Sequence, residues 1–171
     1  MSYVDLNVIH NPSTGSAAPA SWGDQVRDNL EALVEPASCR VYHDTQQLLD
    51  HATWTTLLAN QESWDSASMH STSSNTSRIT VPAAGIYLFT ATAEFGNHET
   101  GMRWLRFKVN GSATQPFFAA AVTAYTGARG SGSTMRDFSA GNYVEVQALQ
   151  NSGNNTITGQ LLEFSCVKVS R

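Results

Sequence analysis

Residues 76–95 read TSRITVPAAGIYLFTATAEF, and this stretch decides the fold of the 171-residue chain. Pro82 has no N–H to donate to a β-ladder and Gly85 readily adopts a positive φ, so the pair ends one strand and directs the next. In the strand that follows, side chains alternate between two faces. One face is apolar throughout and consists of Tyr87, Phe89, Ala91, Ala93 and Phe95. We expect this face to lie in the core of a sheet.

The rest of the chain after Pro36 is typical of short strands separated by turns, which favours an all-β sandwich. Asn110-Gly111 between two alternating segments predicts a tight hairpin. Two segments are predicted to be loops because they are polar or rich in glycine and serine: residues 63–77 and residues 127–133.

The segment PAAGIYLF at residues 82–89 resembles the P-x-x-G-x-Y-x-F signature of the complement-subunit globular head, a tumour-necrosis-factor-like jelly roll. RFKVNG at residues 106–111 and AGNYVEV at residues 140–146 match two further family motifs loosely, with Asn142 where the family more often has Asp. The resemblance covers the chain from Cys39 to the C-terminus. It implies an all-β jelly-roll sandwich and a homotrimer whose aromatic side chains meet on a three-fold axis.

Three aromatic residues are predicted to form the trimer interface, namely Trp104, Tyr125 and Tyr143. Trp104 lies on the outward face of its strand between two basic positions, and aromatic side chains are enriched in protein interfaces. The alternative is that such aromatic residues complete the core of the monomer.

Residues 1–37 are predicted to form an N-terminal anchoring arm, followed by the jelly-roll domain at residues 38–171. A helix is expected at about residues 22–35, with Ser21 as its N-cap and Pro36 after its end. Its apolar stripe consists of Trp22, Val26, Leu30 and Leu33, predicted as an assembly anchor. A helix of this length is marginally stable alone in water, so the stripe needs a partner.

Residues 11–36, with Trp-x-x-x-Val-x-Asp-Asn-Leu at Trp22 to Leu30, resemble the opening of structural proteins of tailed bacteriophages, including head-fibre and minor tail proteins. This resemblance implies a virion protein that is made in the host cytoplasm and that contacts other capsid or tail proteins through its arm. The absence of a signal-peptide pattern agrees with that location.

The charge distribution excludes some classes of partner. The net charge is −4 and comes from the arm, which contains five acidic residues and one basic residue, Arg27. From Cys39 onward, nine basic and nine acidic residues cancel. No basic patch suits a phosphate backbone, so nucleic-acid binding is not expected. No apolar run reaches the roughly 20 residues needed to cross a bilayer.

No motif for catalysis or metal binding occurs in the sequence. The five histidines form no H-x-H or H-E-x-x-H arrangement, and there is no G-x-S-x-G or calcium loop. We therefore expect no enzymatic activity, no metal and no cofactor. Cys39 and Cys166 lie near the two ends of the body, and they are either two buried thiols or a disulfide between neighbouring first and last strands.

These observations favour a non-enzymatic bacteriophage virion structural protein, a trimeric jelly roll displayed on the particle and attached by its arm as a capsid decoration, head fibre or minor tail component. The alternative is a receptor- or glycan-binding module of a phage tail that contacts the host cell surface, with Trp64 as its possible loop binding residue. A third possibility is an intracellular trimer with a soluble ligand.

Overall fold

The computed structural model of the chain describes residues 20–121, 127–153 and 156–170. In this part of the chain one helix, α1 (Ala20–Val34), precedes two antiparallel sheets. The front sheet consists of β1 (Ser38–Tyr42), β2 (Gln47–Asp50), β4 (Gln61–Asp65), β6 (Gly85–Phe95), β9 (Ala128–Phe138) and β11 (Thr156–Ser170). The back sheet consists of β3 (Thr55–Thr56), β5 (Arg78–Thr80), β7 (Met102–Val109), β8 (Ser112–Ala121) and β10 (Tyr143–Gln150).

The front sheet has the strand order β4–β1–β11–β6–β9, with β2 also pairing with β11, and the back sheet has the order β3–β10–β7–β8, with β5 also pairing with β10. The first and last strands of the body are therefore neighbours. The core lies between the inner faces of the two sheets, as expected for a sandwich.

Strand β6 confirms the prediction from residues 76–95. Its residues alternate between buried and half-buried along the whole strand, and the buried set is the predicted apolar face. The hydroxyl of Tyr87 donates a hydrogen bond of 2.9 Å to the carbonyl of Ala83, so the tyrosine of the motif holds the turn that begins at Pro82. Phe89 packs against Phe138 and Phe164.

The predicted hairpin at residues 110–111 is also confirmed. Asn110 and Gly111 have φ values of +48° and +82°, and Val109 on β7 pairs with Ser112 on β8. A two-residue loop with positive φ at both positions has a twist that matches the flanking strands.

The prediction of a flexible loop at residues 127–133 is wrong. Residues 128–133 are part of β9, where Gly130 pairs with Ala93 and Gly132 pairs with Ala91 of β6. A Cβ atom added to Gly130 would lie 2.4 Å from the ring of Phe118, and one added to Gly132 would lie 2.2 Å from the ring of Phe117. These glycines make room for two aromatic rings from the back sheet, and glycine in a strand often marks such a close approach.

Trp64 lies in a strand and not in the polar loop that the sequence predicts at residues 63–77. It belongs to β4, which pairs with β1 at the edge of the front sheet. Pairing with β1 outweighs the polar composition of this segment, because strand preference depends on neighbouring strands more than on intrinsic propensity.

Helix α1 begins about two residues earlier than predicted, so Ser21 lies in its first turn and not at the N-cap. Of the residues predicted in the arm, 1–19 lie outside the described residues. No helix in the described part of the chain is long and apolar enough to cross a bilayer.

Candidate interaction surfaces

Helix α1 has an apolar stripe that no described strand covers extensively. We define the arm stripe as Trp22, Val26, Leu30, Leu33 and Val34. The side chains of Trp22, Leu30, Leu33 and Val34 are 39%, 55%, 71% and 77% exposed, respectively, and Val26 is half-buried. These positions recur every three or four residues and so lie on one side of the helix.

The opposite side of α1 is acidic. Arg27 lies beside this acidic side and forms exposed ion pairs with Asp24 at 3.1 Å, Asp28 at 3.3 Å and Glu31 at 3.8 Å. These contacts raise the pKa of Arg27, mainly through the hydrogen bond to Asp28. A helix with one apolar and one acidic face suits a partner that covers only the apolar side.

The outer face of the front sheet carries an apolar patch at one end. We define the front patch as Ile86, Leu88, Met135 and Val167. Leu88 pairs with Met135 on one side and with Val167 on the other, so these three side chains stand in one row on the same face. Met135 is 62% exposed and the others are half-buried.

The arm joins the body beside the front patch. Ala37 accepts a backbone hydrogen bond of 2.9 Å from Lys168, and Ser38 at the start of β1 pairs with Val167. The C-terminal end of α1 is therefore separated from the row of Leu88 and Val167 by a few residues of chain.

The next rows of the same face combine Ser and Thr hydroxyl groups with two ion pairs, Arg40–Glu163 at 3.0 Å and Arg129–Glu94 at 2.6 Å. The hydroxyl groups of Thr90 and Ser165 are 2.7 Å apart, and those of Thr92 and Ser131 are 3.0 Å apart. Trp64 continues this face at its edge, opposite Arg40 on β1, whose guanidinium lies 5.7 Å from the centroid of the indole ring. Trp64 is 49% exposed.

The outer face of the back sheet is covered by contacts among its own side chains. Arg106 donates a hydrogen bond of 2.9 Å to Gln147 and lies over the ring of Trp54, at 3.8 Å from its centroid. Lys108 and Glu145 form an ion pair at 3.1 Å. Gln147 and Glu145 are buried although they lie on an outer face.

The residues predicted for the trimer interface are not brought together. Trp104 and Tyr143 lie on the outer face of the back sheet and are half-buried. Trp104 pairs with Leu149, which is six residues from Tyr143 along β10, a separation of roughly 20 Å. The ring of Tyr143 lies 4.6 Å from the guanidinium of Arg78. Tyr125 lies outside the described residues, and the predicted interface stays a prediction.

Sequence reasoning missed the front patch as a surface. The alternation along β6 places Ile86 and Leu88 opposite the core face, and this apolar pair was the available signal. Met135 and Val167 join them only through strand pairing, so no local pattern connects the four residues.

His70 on the loop after β4 and two acidic residues of β4 form a structural cluster. The backbone N–H of His70 donates to Asp65 at 2.8 Å, and its ring Nδ1 is 2.8 Å from a carboxylate oxygen of Glu62. Asp65 thus contacts the backbone of His70, whereas Glu62 contacts its imidazole ring. Among the described residues, no group of three or more His, Cys, Asp and Glu side chains is arranged to hold a metal ion.

Cys39 and Cys166 are buried free thiols. They occupy directly opposite positions on the neighbouring strands β1 and β11. Burial, together with the charges of Asp65 and Glu62, raises the pKa of Cys39 to about 12. Burial is also the main cause that raises the pKa of Cys166. Because the thiolate is the reactive form, neither thiol is poised for chemistry in the folded protein.

We expect both thiols to resist alkylation by iodoacetamide in the folded protein at pH 8. The raised pKa lowers the thiolate fraction of Cys39 by roughly 10³-fold relative to an ordinary cysteine. Mass spectrometry of alkylated protein checks this, with guanidinium-unfolded protein as the control in which both thiols react. Fast modification of the folded protein would contradict the burial of the pair.

Two solved structures share the fold of this chain. The globular domain of zebrafish complement 1qA protein matches with a TM-score of 0.60 and 14% identity, covering 79% of this chain and 98% of that chain. Eiger TNF from S. frugiperda matches with a TM-score of 0.53 and 13% identity, covering 80% of this chain and 94% of that chain. The fold is a tumour-necrosis-factor-like jelly roll.

The tumour-necrosis-factor-like jelly roll confirms the fold that the motif at residues 82–89 implies. No protein-family model and no curated protein matches the chain. At 13–14% identity the two structural neighbours define the fold alone. The phage origin stays a prediction.

Proposed function

We propose that this protein is a non-enzymatic structural protein of a tailed-bacteriophage virion, a homotrimeric jelly roll displayed on the particle and attached through helix α1. The observation that carries the proposal is the arm stripe, four of whose five side chains are well exposed. A short helix with such a face gains its stability from packing against a partner. Attachment to other virion proteins gives the stripe that partner.

The phage assignment is supported by the resemblance of residues 11–36 to the opening of phage structural proteins. On this proposal the protein is made in the host cytoplasm and functions on the particle, as a capsid decoration, head fibre or minor tail component. The acidic side of α1 then faces solvent or basic groups of the anchoring protein.

We place the contact between copies on the outer face of the front sheet. This face combines the front patch, which includes the 62% exposed side chain of Met135, with Ser and Thr hydroxyl groups, and its charged groups form ion pairs with one another. The outer face of the back sheet also pairs its charged groups internally, and none of its described strands carries an exposed large apolar side chain. A trimer also agrees with the resemblance to the complement-subunit head. The back-sheet surface around Trp104 and Tyr143 is the rival site for the contact.

Two single substitutions test the assembly by analytical ultracentrifugation. We expect the full chain to sediment as a trimer and Leu88→Asp to yield monomers, because burying an unpaired carboxylate costs several kcal/mol in each contact. The matched control is Trp104→Asp, which introduces the same charge on the back sheet and leaves the trimer intact. Circular dichroism verifies that each variant keeps its β-sheet.

Two results would overturn this placement. If the full chain is a monomer, the homotrimer is ruled out. If Trp104→Asp is monomeric and Leu88→Asp is trimeric, the contact between copies lies on the back sheet. A chain of residues 38–171 separates body from arm: a trimer assigns the contact to the jelly roll, and a folded monomer assigns it to α1.

Attachment is tested with Leu30→Asp, at the centre of the arm stripe. We expect this variant to remain a folded trimer and to be absent from purified particles, as measured by immunogold electron microscopy. Incorporation equal to that of the unmodified protein would contradict an anchoring role for α1.

The alternative of a receptor- or glycan-binding module rests on Trp64, whose half-exposed ring lies on Arg40 at the edge of the front sheet. Sugars stack on such ring faces. Binding on a glycan array that is abolished by Trp64→Ala in a folded trimer would favour this function over a purely structural one.

A further inference from the structure

The two cysteines of the chain stand at a position of the β1–β11 ladder that suits a disulfide. Lys168 on β11 donates its backbone N–H to the carbonyl of Ala37, which lies opposite it when the register is continued. Hydrogen-bonded pairs alternate along an antiparallel ladder, so Cys39 and Cys166, two residues further on, are also a hydrogen-bonded pair. The Cα atoms of such a pair are about 5.5 Å apart, and disulfides join Cα atoms that are about 4.4–6.8 Å apart.

Both side chains point into the core from the same face of the front sheet. Cys39 is 0% exposed and Cys166 is 3% exposed. The Cβ atoms of directly opposite residues are roughly 4.5–5.5 Å apart, with the larger values at hydrogen-bonded pairs, whereas a disulfide holds them at about 3.5–4.5 Å. The two strands therefore have to approach each other by roughly 1 Å at this row for the bond to form.

The two thiols have one pairing available to them and no competing ligand. The sequence contains no third cysteine. Within the described ranges, no His, Cys, Asp and Glu side chains are grouped to hold a metal ion that would use the thiols. Because both thiols are buried, the folded chain also shields them from a second copy. Oxidation of one chain therefore leads to a single product, in which the bond encloses residues 40–165.

We propose that Cys39 and Cys166 form a reversible disulfide in the presence of an oxidising thiol–disulfide couple such as glutathione, and that this bond locks β1 to β11. The lock is independent of the proposed virion role and of the homotrimer, because both cysteines belong to the same chain.

The reaction proceeds by two thiol–disulfide exchange steps. The thiolate of one cysteine attacks a sulfur of oxidised glutathione, which forms a mixed disulfide and releases one glutathione thiolate. The thiolate of the other cysteine then attacks the protein sulfur of the mixed disulfide and releases the second. The two cysteines lose two electrons and two protons, and one glutathione disulfide is reduced to two glutathione molecules.

Burial sets the time at which these steps occur. Neither thiol reacts while β1 is paired with β11, so the bond forms during folding or when β1 separates locally from its neighbour. Once the strands pair, the same burial protects the disulfide from reductants. Because β1 directly follows α1, the lock ties the strand that leads to the arm to the long strand β11, which in turn pairs with β6.

Glutathione titration of the full chain tests whether the fold brings the two thiols together. The chain is refolded in mixtures of oxidised and reduced glutathione, starting from both the reduced and the oxidised protein, and is then quenched in acid. Mass spectrometry and peptide mapping measure the fraction that contains the Cys39–Cys166 bond. At a fixed concentration of reduced glutathione, we expect the folded chain to reach half oxidation at least about tenfold lower in oxidised glutathione than the chain kept unfolded in guanidinium.

Thermal unfolding gives a second measurement at one fixed protein concentration. We expect the oxidised chain to have a Tm about 5–15 °C above that of the reduced chain, because the bond restricts the unfolded chain over a long loop. Cys166→Ala is the control, since it retains Cys39 and cannot form the bond, and its Tm should be the same in oxidising and reducing buffer. The comparison of the oxidised and reduced natural chain stands even if this variant does not fold.

Four results would overturn the proposal. The first is a folded chain that needs as much oxidised glutathione as the unfolded chain, or more, which would mean that the fold holds the two sulfurs apart. The second is a disulfide between copies in place of the intrachain bond. The third is a Tm that oxidation leaves unchanged or lowers. The fourth is an equal increase in the Tm of Cys166→Ala, which would assign the effect to the buffer.

Discussion

Phe89→Ala is expected to lower the free energy of unfolding by about 3–5 kcal/mol, the cost of removing a fully buried aromatic ring and leaving a cavity. Phe89 is 0% exposed at the middle of β6. Its ring centroid lies 5.3 Å from that of Phe138 on β9 and 6.0 Å from that of Phe164 on β11, so the substitution affects three neighbouring strands.

Denaturant unfolding at a fixed protein concentration measures this effect, because the proposed homotrimer would make the apparent stability depend on concentration. The matched control is Thr92→Ala on the same strand, whose side chain faces outward and bonds to Ser131. We expect the control to cost less than about 1 kcal/mol. Similar losses in the two variants would mean that β6 does not present Phe89 to the core.

Gly132→Ala is expected to destabilise the protein by about 1–3 kcal/mol, although alanine replaces glycine favourably in an ordinary strand. The new Cβ would lie 2.2 Å from the ring of Phe117, which itself packs on Phe107 with a centroid distance of 4.5 Å. Either this ring or the backbone of β9 would therefore have to shift to admit the new methyl group. Ser131→Ala, on the exposed side of the same strand, is the control and is expected to be nearly neutral.

A double-mutant cycle isolates the cause of this loss. Phe117→Ala removes the ring that meets the new methyl group, so Gly132→Ala combined with Phe117→Ala should cost less than the sum of the two single variants. Additive losses would indicate that the glycine is needed for some reason other than the close approach of Phe117. A neutral Gly132→Ala would favour the flexible loop that the sequence predicts.

The candidate surfaces differ in how far the sequence reveals them. The arm stripe lies within thirteen consecutive residues, so its helical period is visible in the chain. The front patch combines Leu88, Met135 and Val167, which are far apart in sequence and meet only through pairing of three strands. The sequence shows that each of these residues is apolar, but only the pairing register of the three strands shows that they share one surface.

For Arg103, the strand alternation and the charge of the side chain lead to opposite expectations from the sequence, and the structure follows the alternation. Alternation from Leu105 and Phe107 places residue 103 on the inward face, yet a charged side chain suggests a position near solvent. The length of β7 and its pairing with Gln150 decide the matter, because they continue the core past the last apolar residue of that face.

Features that depend on covalent geometry and short-range periodicity could be predicted from the sequence. These are the alternation of β6, the turn at Asn110-Gly111 and the helix of the arm, each set by the φ, ψ and side-chain directions of consecutive residues. By contrast, long-range strand pairing places Gly130 and Gly132 in a strand and Trp64 at a sheet edge. Those outcomes depend on aromatic rings and strands contributed by distant parts of the chain, whose contact energy exceeds the local preference of glycine and polar residues for loops.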